Sequence, residues 1–419
     1  MKPIDPKDFV FVNKTKLKEP SHQQPTKIIG YYKNAFKVFF KTKLTKLALF
    51  FLFILLLFTF IGPYINPLPE KIQQKNQELI KLLPPKIPLL EKLGIFNGTS
   101  KKTLYLEEIK NLKQFDSEII KKTYQTQEEN KATVLLDAYL YREYQNSLLN
   151  QTYTKQEYEA ALKNNAIIES SPLNDDLYKV KVKIFAVVFN QSPKKTYFYF
   201  GTNAEGKDLF TEIWKGSLVS LSLAVLVSLS TLLIGVIIGA FCGYYGGFFD
   251  LIISAFVEFL DNLPFMALIM VLMLKMGSSF ITVILIFLIK GWISAFYHTR
   301  AQFYRYKHKE YVIAARMLGA SDLRIFFKHI FPNIIGILIT IFALSIPSFI
   351  ITEAIYSFVG VVKYPQEIMS IGQLLDQSFD KIHSFPYLCI FPISYLMLLM
   401  FTFNLLGNNL REAFNPARN

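Results

Sequence analysis

Long apolar runs and lysine-rich polar stretches alternate along this chain. Five runs lack Asp, Glu, Lys and Arg altogether; they cover residues 47–65, 216–249, 276–289, 330–352 and 384–410. A sixth run, 251–274, contains only the charged residues Glu258 and Asp261. A bilayer core about 30 Å thick needs about 20 apolar residues per helix, and the 276–289 run reaches that length if it continues through Lys290 to residue 297. The pattern therefore predicts an all-α polytopic membrane protein with six transmembrane helices.

Positive charge is concentrated in two of the polar stretches. Residues 1–46 contain eleven lysines and three acidic residues, and residues 299–330 contain seven Lys or Arg against Glu310 and Asp322. Because Lys and Arg favour the cytoplasmic side of a membrane, we expect both termini and the 299–330 loop in the cytoplasm. The sequence GPYINP after the first run lacks a small-residue cleavage site, so this run is predicted to be an anchor and not a signal peptide.

These assignments divide the chain into five parts. A basic cytoplasmic tail, 1–46, is expected to touch anionic membrane lipid, and transmembrane helix 1 follows at 47–65. Residues 66–200 form an extracytoplasmic segment, 201–410 hold helices 2–6, and 411–419 form a second cytoplasmic tail. The predicted location is the plasma or inner membrane of a cell.

The 66–200 segment is predicted to be a small α+β domain inserted between helices 1 and 2. Thr154 precedes Glu157 by three residues, which is typical of a capping box at a helix start. The alternating sequence YKVKVKIFAVVF, followed by NQSPK and KTYFYF, predicts a β-hairpin over 178–200.

Composition excludes several classes of function. The net charge of +14 is explained by cytoplasmic loops, so no nucleic-acid partner is expected. The two cysteines, Cys242 and Cys389, fall within or beside predicted membrane helices and imply no disulfide framework. The five histidines are dispersed, and no metal, cofactor or catalytic constellation is recognisable. We therefore predict that the chain is not an enzyme.

The sequence GTNAEGKD at 201–208 has the spacing of a phosphate-binding loop, with Gly201, Gly206 and Lys207 in place. That motif continues with Ser or Thr, whose hydroxyl binds Mg²⁺, whereas this chain has Asp208. A carboxylate at that position would repel the phosphates. We therefore predict an interfacial turn leading into helix 2.

Several motifs in the second half occur together in one order. The stretch from GTNAEGKD to GYYGGFFD (201–250) is followed by EYVIAARMLGASDLRIFFKHIFPN (310–333), EAIYSFVG (353–360) and FNLLGNNLREAFNP (403–416). In this order they resemble ABC importer permeases of the oligopeptide/dipeptide class, and in particular the C-type membrane subunit. The resemblance is strong over 201–419 and weak over 1–65.

The resemblance implies a type I-like importer fold in which the 299–330 loop receives force from separate ATPases. Two short helices hinged at Gly319 form the loop, with Ser321 or Asp322 capping the second; Val312, Ala315, Met317 and Leu318 supply apolar contact. The expected ATPase-coupling residues are Glu310, Ile313, Ala314, Ala315, Gly319, Ala320, Ser321, Asp322 and Pro332. The chain departs from the family pattern at Ile313, where the family has Glu.

Acidic residues inside membrane spans are costly and are often functional. Glu258 and Asp261 lie three residues apart and share a helical face, and Lys290 is a candidate partner; these three are the candidates for the translocation path. Hydrated positions near the cytoplasmic interface are the alternative for the two acids. Pro264 and Pro347 are expected to kink helices 3 and 5.

The sequence thus predicts a permease subunit of an ATP-driven oligopeptide importer that forms half of the translocation path. The resemblance implies as partners a homologous second permease, two ABC ATPases that use ATP and Mg²⁺, a lipid-anchored extracytoplasmic substrate-binding protein and the peptide itself. Dipeptides, nickel or glutathione are alternative substrates. A receptor or adhesin that acts through the 66–200 domain is the alternative of another class.

Overall fold

The computed structural model describes residues 31–65, 78–125, 130–174, 176–365 and 368–414. The predictions for 1–30, for 66–77 and for 415–419 lie outside these residues. Helix α1, Tyr31–Lys41, is followed at once by α2, Lys43–Ile65, which is the first candidate span. The Tyr32 hydroxyl donates to the Pro332 carbonyl, so α1 touches the end of the 310–333 stretch.

Residues 78–200 contain both helices and strands. Their elements are α3 (Pro88–Glu91), β1 (Thr99–Tyr105), α4 (Leu106–Phe115), β2 (Ile120–Gln125), β3 (Lys131–Asp137), α5 (Ala138–Leu148), β4 (Gln151–Thr154), α6 (Lys155–Lys163), β5 (Ile167–Asn174), β6 (Leu177–Val182) and α7 (Ile184–Phe189). The strands form two antiparallel three-stranded sheets with the orders β1-β3-β2 and β4-β6-β5. The predicted capping box is present, because Thr154 and Glu157 exchange side-chain and backbone hydrogen bonds at the start of α6.

The predicted hairpin over 178–200 is wrong. Its first strand exists as β6, but β6 pairs with β4 and β5, and the chain turns into α7 at Ile184. The sequence IFAVVF is continuously apolar and does not alternate, so one helical turn can bury Ile184 and Phe185 together against Tyr139 and Phe198. Tertiary burial therefore decides the local structure.

The described residues supply six candidate membrane spans if one broken helix pair is counted as a span. The elements after residue 208 are α8 (Leu209–Tyr245), α9 (Gly247–Asn262), α10 (Phe265–Met276), α11 (Phe280–Gly291), α12 (Ile293–Tyr306), α13 (Glu310–Met317), α14 (Asp322–Arg324), a π-helical turn (Ile325–Ile330), α15 (Phe331–Phe358), α16 (Ile371–Phe379) and α17 (Tyr387–Ala413). In the described residues, five stretches are long and apolar enough to cross a membrane, and the pair α9–α10 is bent by 83°.

Proline has different effects at the two predicted kinks. The break between α9 and α10 falls at Leu263 and Pro264, so the third span is interrupted more sharply than a kink. Helix α15 runs through Pro347 without a break, and the kink there stays a prediction.

Helices α8 and α12 pack unusually closely. Gly235, Gly239 and Gly243 follow one another at four-residue spacing along α8 and face α12. A Cβ added at Gly239 would lie 2.6 Å from the Phe296 carbonyl oxygen. A Cβ added at Gly243 would lie 2.5 Å from the Arg300 carbonyl oxygen. Small residues at this spacing allow two backbones to approach within a bilayer, and here they position α12 and the stretch that follows it.

Candidate functional site: the 310–333 connector and the polar cavity

The connector consists of two short helical pieces separated by Gly319. At the end of α13 the Gly319 amide donates to the Arg316 carbonyl and the Ala320 amide donates to the Ala315 carbonyl, both at 3.0 Å. This is the Schellman pattern, which needs a left-handed residue after the helix; Gly319 has φ +80°. The predicted separation of two short helices at Gly319 is therefore present, and its hydrogen bonds make it a fixed corner.

Tyr244, at the end of α8, joins the two pieces of the connector. Its hydroxyl donates to Asp322 Oδ1 at 2.5 Å and accepts from Arg316 Nη2 at 2.9 Å. The Arg316 guanidinium also lies over the Tyr244 ring, 5.6 Å from its centre, and the hydrogen bond from this group to the phenol raises the pKa of Arg316. Ser321 occupies the N-cap position of α14 without a side-chain cap bond. The Asp322 carboxylate is bonded to Tyr244 instead. The prediction that Ser321 or Asp322 caps α14 with its side chain is therefore wrong.

One face of α13 is buried inside the subunit. Val312 is completely buried, in a cluster with Tyr244, Phe303, Ile325 and Ile330. The expectation that Val312 contacts a partner is therefore wrong, because Val312 fastens α13 to α8, α12 and the π-helical turn.

The opposite face of the connector is exposed and largely apolar. Met317 is 84% exposed, Leu318 89% and Leu323 69%. Ile313, Ala314 and Glu310 are also exposed, whereas Ala315, Ala320 and Pro332 are half-buried. The large exposed side chains lie on both sides of Gly319, so we define Met317, Leu318 and Leu323 as the apolar corner of the connector.

An ion pair fixes the helix before the connector. Arg300 on α12 makes two bonds of 2.6 Å to the carboxylate of Asp250 in the first turn of α9. Lys307 donates to the Tyr244 carbonyl at 3.3 Å. Both contacts join residues that are far apart in sequence, and no local pattern predicts them.

A cavity of about 400 Å³ lies between α8, α10, α11, α12 and α15. Its polar lining includes Lys290, His298 and six hydroxyl-bearing side chains, which are Ser228, Thr231, Ser294, Ser345, Ser348 and Thr352. Lys290 Nζ donates to the carbonyls of Asp261 at 2.6 Å and Leu263 at 3.0 Å, so it caps the broken end of α9.

Only one of the three predicted path residues lines this cavity. Lys290 meets Asp261 through the backbone carbonyl and not through the carboxylate. The side chains of Glu258 and Asp261 are exposed and do not belong to the lining. The carboxylates of Glu258 and Asp261 therefore lie outside the cavity that Lys290 lines, although Lys290 contacts the Asp261 backbone.

A polar cluster around Glu353 was not among the sequence predictions. Glu353 is completely buried and accepts hydrogen bonds from Ser357 at 2.8 Å, Tyr364 at 2.9 Å and Ser220 at 3.2 Å. These bonds join α15 to α8 and to the segment after α15. The sequence signal is an acidic residue directly after the 330–352 apolar run, since a buried carboxylate needs hydrogen-bond partners.

The polar side chains of the 201–208 turn form hydrogen bonds to backbone amides of the turn and of the start of α8. Asn203 Oδ1 accepts from the amides of Glu205 and Lys207, which a phosphate loop would offer to its ligand. Asp208 is buried and caps α8 through Thr211, and burial raises the pKa of Asp208 to about 6. The geometry agrees with the predicted turn into helix 2. Among the described residues, no group of three His, Cys, Asp or Glu side chains could hold a metal ion.

Comparisons with known proteins cover both ends of the chain. The model of the family "Binding-protein-dependent transport system inner membrane component" matches residues 235–419. The model "N-terminal TM domain of oligopeptide transport permease C" matches residues 30–85. Residues 86–234, which contain the six strands, lie in neither match.

Two curated relatives are similar over more than half of the chain. The oligopeptide transport system permease protein OppC of Bacillus subtilis is 33% identical over 227 residues, which is 54% of this chain and 74% of that protein. The dipeptide transport system permease protein DppC of the same organism is 34% identical over 226 residues, 54% of this chain and 70% of that protein. A solved structure of the methionine ABC transporter MetNI in an inward-facing conformation covers 49% of this chain and 96% of its own, with 15% identity and a TM-score of 0.39.

Proposed function

The chain belongs to the family of binding-protein-dependent transport system inner membrane components, and from that premise we propose that it is a permease subunit of an ATP-driven oligopeptide importer. Its relatives are named as oligopeptide and dipeptide permeases. The observation that carries the proposal is the connector, which exposes an apolar corner on one side and is fastened to α8 on the other.

The connector has the physical properties of a force-transmitting element. The Schellman corner at Gly319 is fixed by two backbone bonds, and Val312 and Tyr244 hold it against the spans. A partner that moves the apolar corner would therefore move α8 as well, whereas a flexible loop would absorb the motion. Met317, Leu318 and Leu323 supply the apolar contact that such a partner needs.

The proposed partners follow from this assignment. Two ABC ATPases, which bind and hydrolyse ATP with Mg²⁺, dock on the apolar corners of this chain and of a homologous second permease. A lipid-anchored substrate-binding protein delivers peptide from the other side of the membrane. This arrangement places both termini and the connector in the cytoplasm and the 78–200 domain outside.

The polar cavity is the proposed contribution of this subunit to the translocation path. Its hydroxyl oxygens can accept hydrogen bonds from a peptide backbone. Four of the hydroxyl groups donate their protons to carbonyls of their own helices; these belong to Thr231, Ser345, Ser348 and Thr352. The ammonium group of Lys290 can attract the terminal carboxylate. Glu258 and Asp261 lie outside the cavity, so we assign them no contact with the peptide there.

The docking step can be tested by co-purification from membranes. Leu318→Asp places a charge in the apolar corner, and Leu162→Asp is the matched control, because Leu162 is an exposed leucine of the 78–200 domain. We expect the unmodified chain and the control to co-purify with two ATPases, and Leu318→Asp to lose them together with peptide uptake. An unmodified chain that retains no ATPase would overturn the proposal.

Uptake into reconstituted vesicles tests the substrate. Longer peptides should compete with a labelled oligopeptide, and dipeptides should compete less well. Preferential uptake of dipeptides, of nickel or of glutathione would leave the permease assignment intact and replace oligopeptides as the substrate.

A further inference from the structure

A short turn in the 78–200 domain exposes an unusual amount of apolar surface. Residues 88–96, here termed the apolar turn, contain α3 and the loop after it. Leu89 is 83% exposed and Leu93 is 72% exposed, and Ile95 and Phe96 are also exposed. Large apolar side chains that protrude together from one turn are typical of an interaction surface.

Five backbone amides of the apolar turn donate hydrogen bonds within the turn or to its flanking residue. The amides of Leu90, Glu91, Leu93, Gly94 and Ile95 all donate to carbonyls of residues 87–91. The two ends of the turn are also joined, because the Ile87 amide donates to the Phe96 carbonyl at 2.9 Å. Such bonds lower the cost of bringing these amides to the edge of a bilayer, because acyl chains offer no hydrogen bonds.

The position of the turn follows from contacts with a membrane helix. The ring of Phe96 lies 5.7 Å from that of Phe391, which stacks on Phe200 at 4.2 Å. Phe391 is the fifth residue of α17, so the contact lies about 6 Å from the start of the span at 1.5 Å per residue. Ile390, beside it on α17, is also exposed, and α17 is a candidate membrane span. The apolar turn therefore lies beside an exposed apolar surface near the start of a candidate span.

The residue that contacts α17 has an uncommon backbone conformation. Phe96 has φ +51°, which is uncommon for a bulky residue, and its ring is the one that packs on Phe391. Lys92 is exposed on the same turn, where a long side chain can reach lipid headgroups.

We propose that the apolar turn inserts into the outer surface of the lipid bilayer and anchors the 78–200 domain to it. The occupant of this surface is lipid, with Leu89, Leu93 and Ile95 among the upper acyl chains. Interfacial segments of this kind bury their apolar side to a depth of about 5–10 Å. The anchor fixes the tilt of the domain above the spans, and it does not depend on the identity of the transported solute.

Site-directed fluorescence on the full-length chain tests this proposal. Single cysteines replace Leu89, Leu93 or the control Leu162 in a background in which Cys242 and Cys389 are alanine, and each is labelled with an environment-sensitive fluorophore. The proteins are placed in phosphatidylcholine nanodiscs with and without a nitroxide group on the upper acyl chain. We expect labels at Leu89 and Leu93 to lose fluorescence in the nitroxide lipid, and the label at Leu162 to keep it.

The same samples distinguish lipid from a protein occupant. A water-soluble quencher should reach Leu162 freely and reach Leu89 and Leu93 poorly in nanodiscs that contain this chain alone. Equal access at all three positions would overturn the proposal. Protection of Leu89 and Leu93 that appears only after addition of the other transporter subunits would also overturn it, because the occupant would then be protein.

Discussion

The hydroxyl of Tyr244 donates a hydrogen bond to the carboxylate of Asp322 at 2.5 Å, across the corner that separates the two connector helices. The same hydroxyl accepts from Arg316, on the other side of that corner. One phenol at the end of α8 therefore bonds to both halves of the connector. A displacement of either half must move α8 or break a hydrogen bond to a charged group.

Tyr244→Phe should weaken the transfer of motion while leaving ATPase docking intact. The change removes only the hydroxyl, and a hydrogen bond to a charged group contributes about 1.5–3 kcal/mol. We expect peptide uptake per ATP hydrolysed to fall by about tenfold, which corresponds to about 1.4 kcal/mol. The measurement is uptake and ATPase activity in the same vesicles. Tyr245→Phe is the control, since Tyr245 is exposed beside it; an equal loss in both variants would contradict the assigned role.

Gly319→Ala should disturb the connector through backbone strain alone. Gly319 has φ +80°, and a Cβ there would meet no other atom. Left-handed backbone costs an L-residue about 1–2 kcal/mol, so we expect weaker co-purification of ATPases, with partial recovery in Gly319→Asn. Gly360→Ala is the matched control, because Gly360 has φ +74° and equally open surroundings. If Gly360→Ala reduces docking as much, the effect is general and not a property of the connector.

Local signals made parts of this structure predictable. Gly319 and the Thr154 capping box depend on residues a few positions apart, and both predictions are confirmed. The contacts of Tyr244 and Val312 depend on how α8, α12 and α13 meet, and the amphipathic pattern of the connector did not reveal which face is buried. Lys290 was correctly placed near Asp261, but its bond to a backbone carbonyl depends on the break at Pro264.

Gly239→Leu should separate α8 from α12. Even a Cβ at this position would lie 2.6 Å from the Phe296 carbonyl oxygen, and overpacking of a close contact costs about 1–3 kcal/mol or more. We expect a lower thermal unfolding temperature in detergent and loss of ATPase docking, because α12 leads into the connector. Ile237→Leu, on an exposed position of the same helix, should leave both unchanged. Normal stability of Gly239→Leu would show that the two helices can move apart freely.

The 78–200 domain should become less stable as pH rises, because of Glu143. Burial raises the pKa of Glu143 to about 7 from the ordinary 4.5, against opposing contributions from the Phe185 amide and Lys183. The folded domain therefore binds this proton more tightly than the unfolded chain. Its contribution to stability is fully present below about pH 4.5 and is lost as pH rises through 7; the whole change is on the order of 3 kcal/mol.

Hydrogen exchange of the Phe185 amide measures this dependence in the full-length protein. After correction for the intrinsic exchange rate, protection should fall between about pH 5 and pH 8. Glu143→Gln removes the titration and should flatten that part of the slope, whereas Glu159→Gln, at an exposed position, should retain it. A slope that is unchanged in Glu143→Gln would assign the pH dependence to other groups, because a residue that cannot ionise cannot produce it.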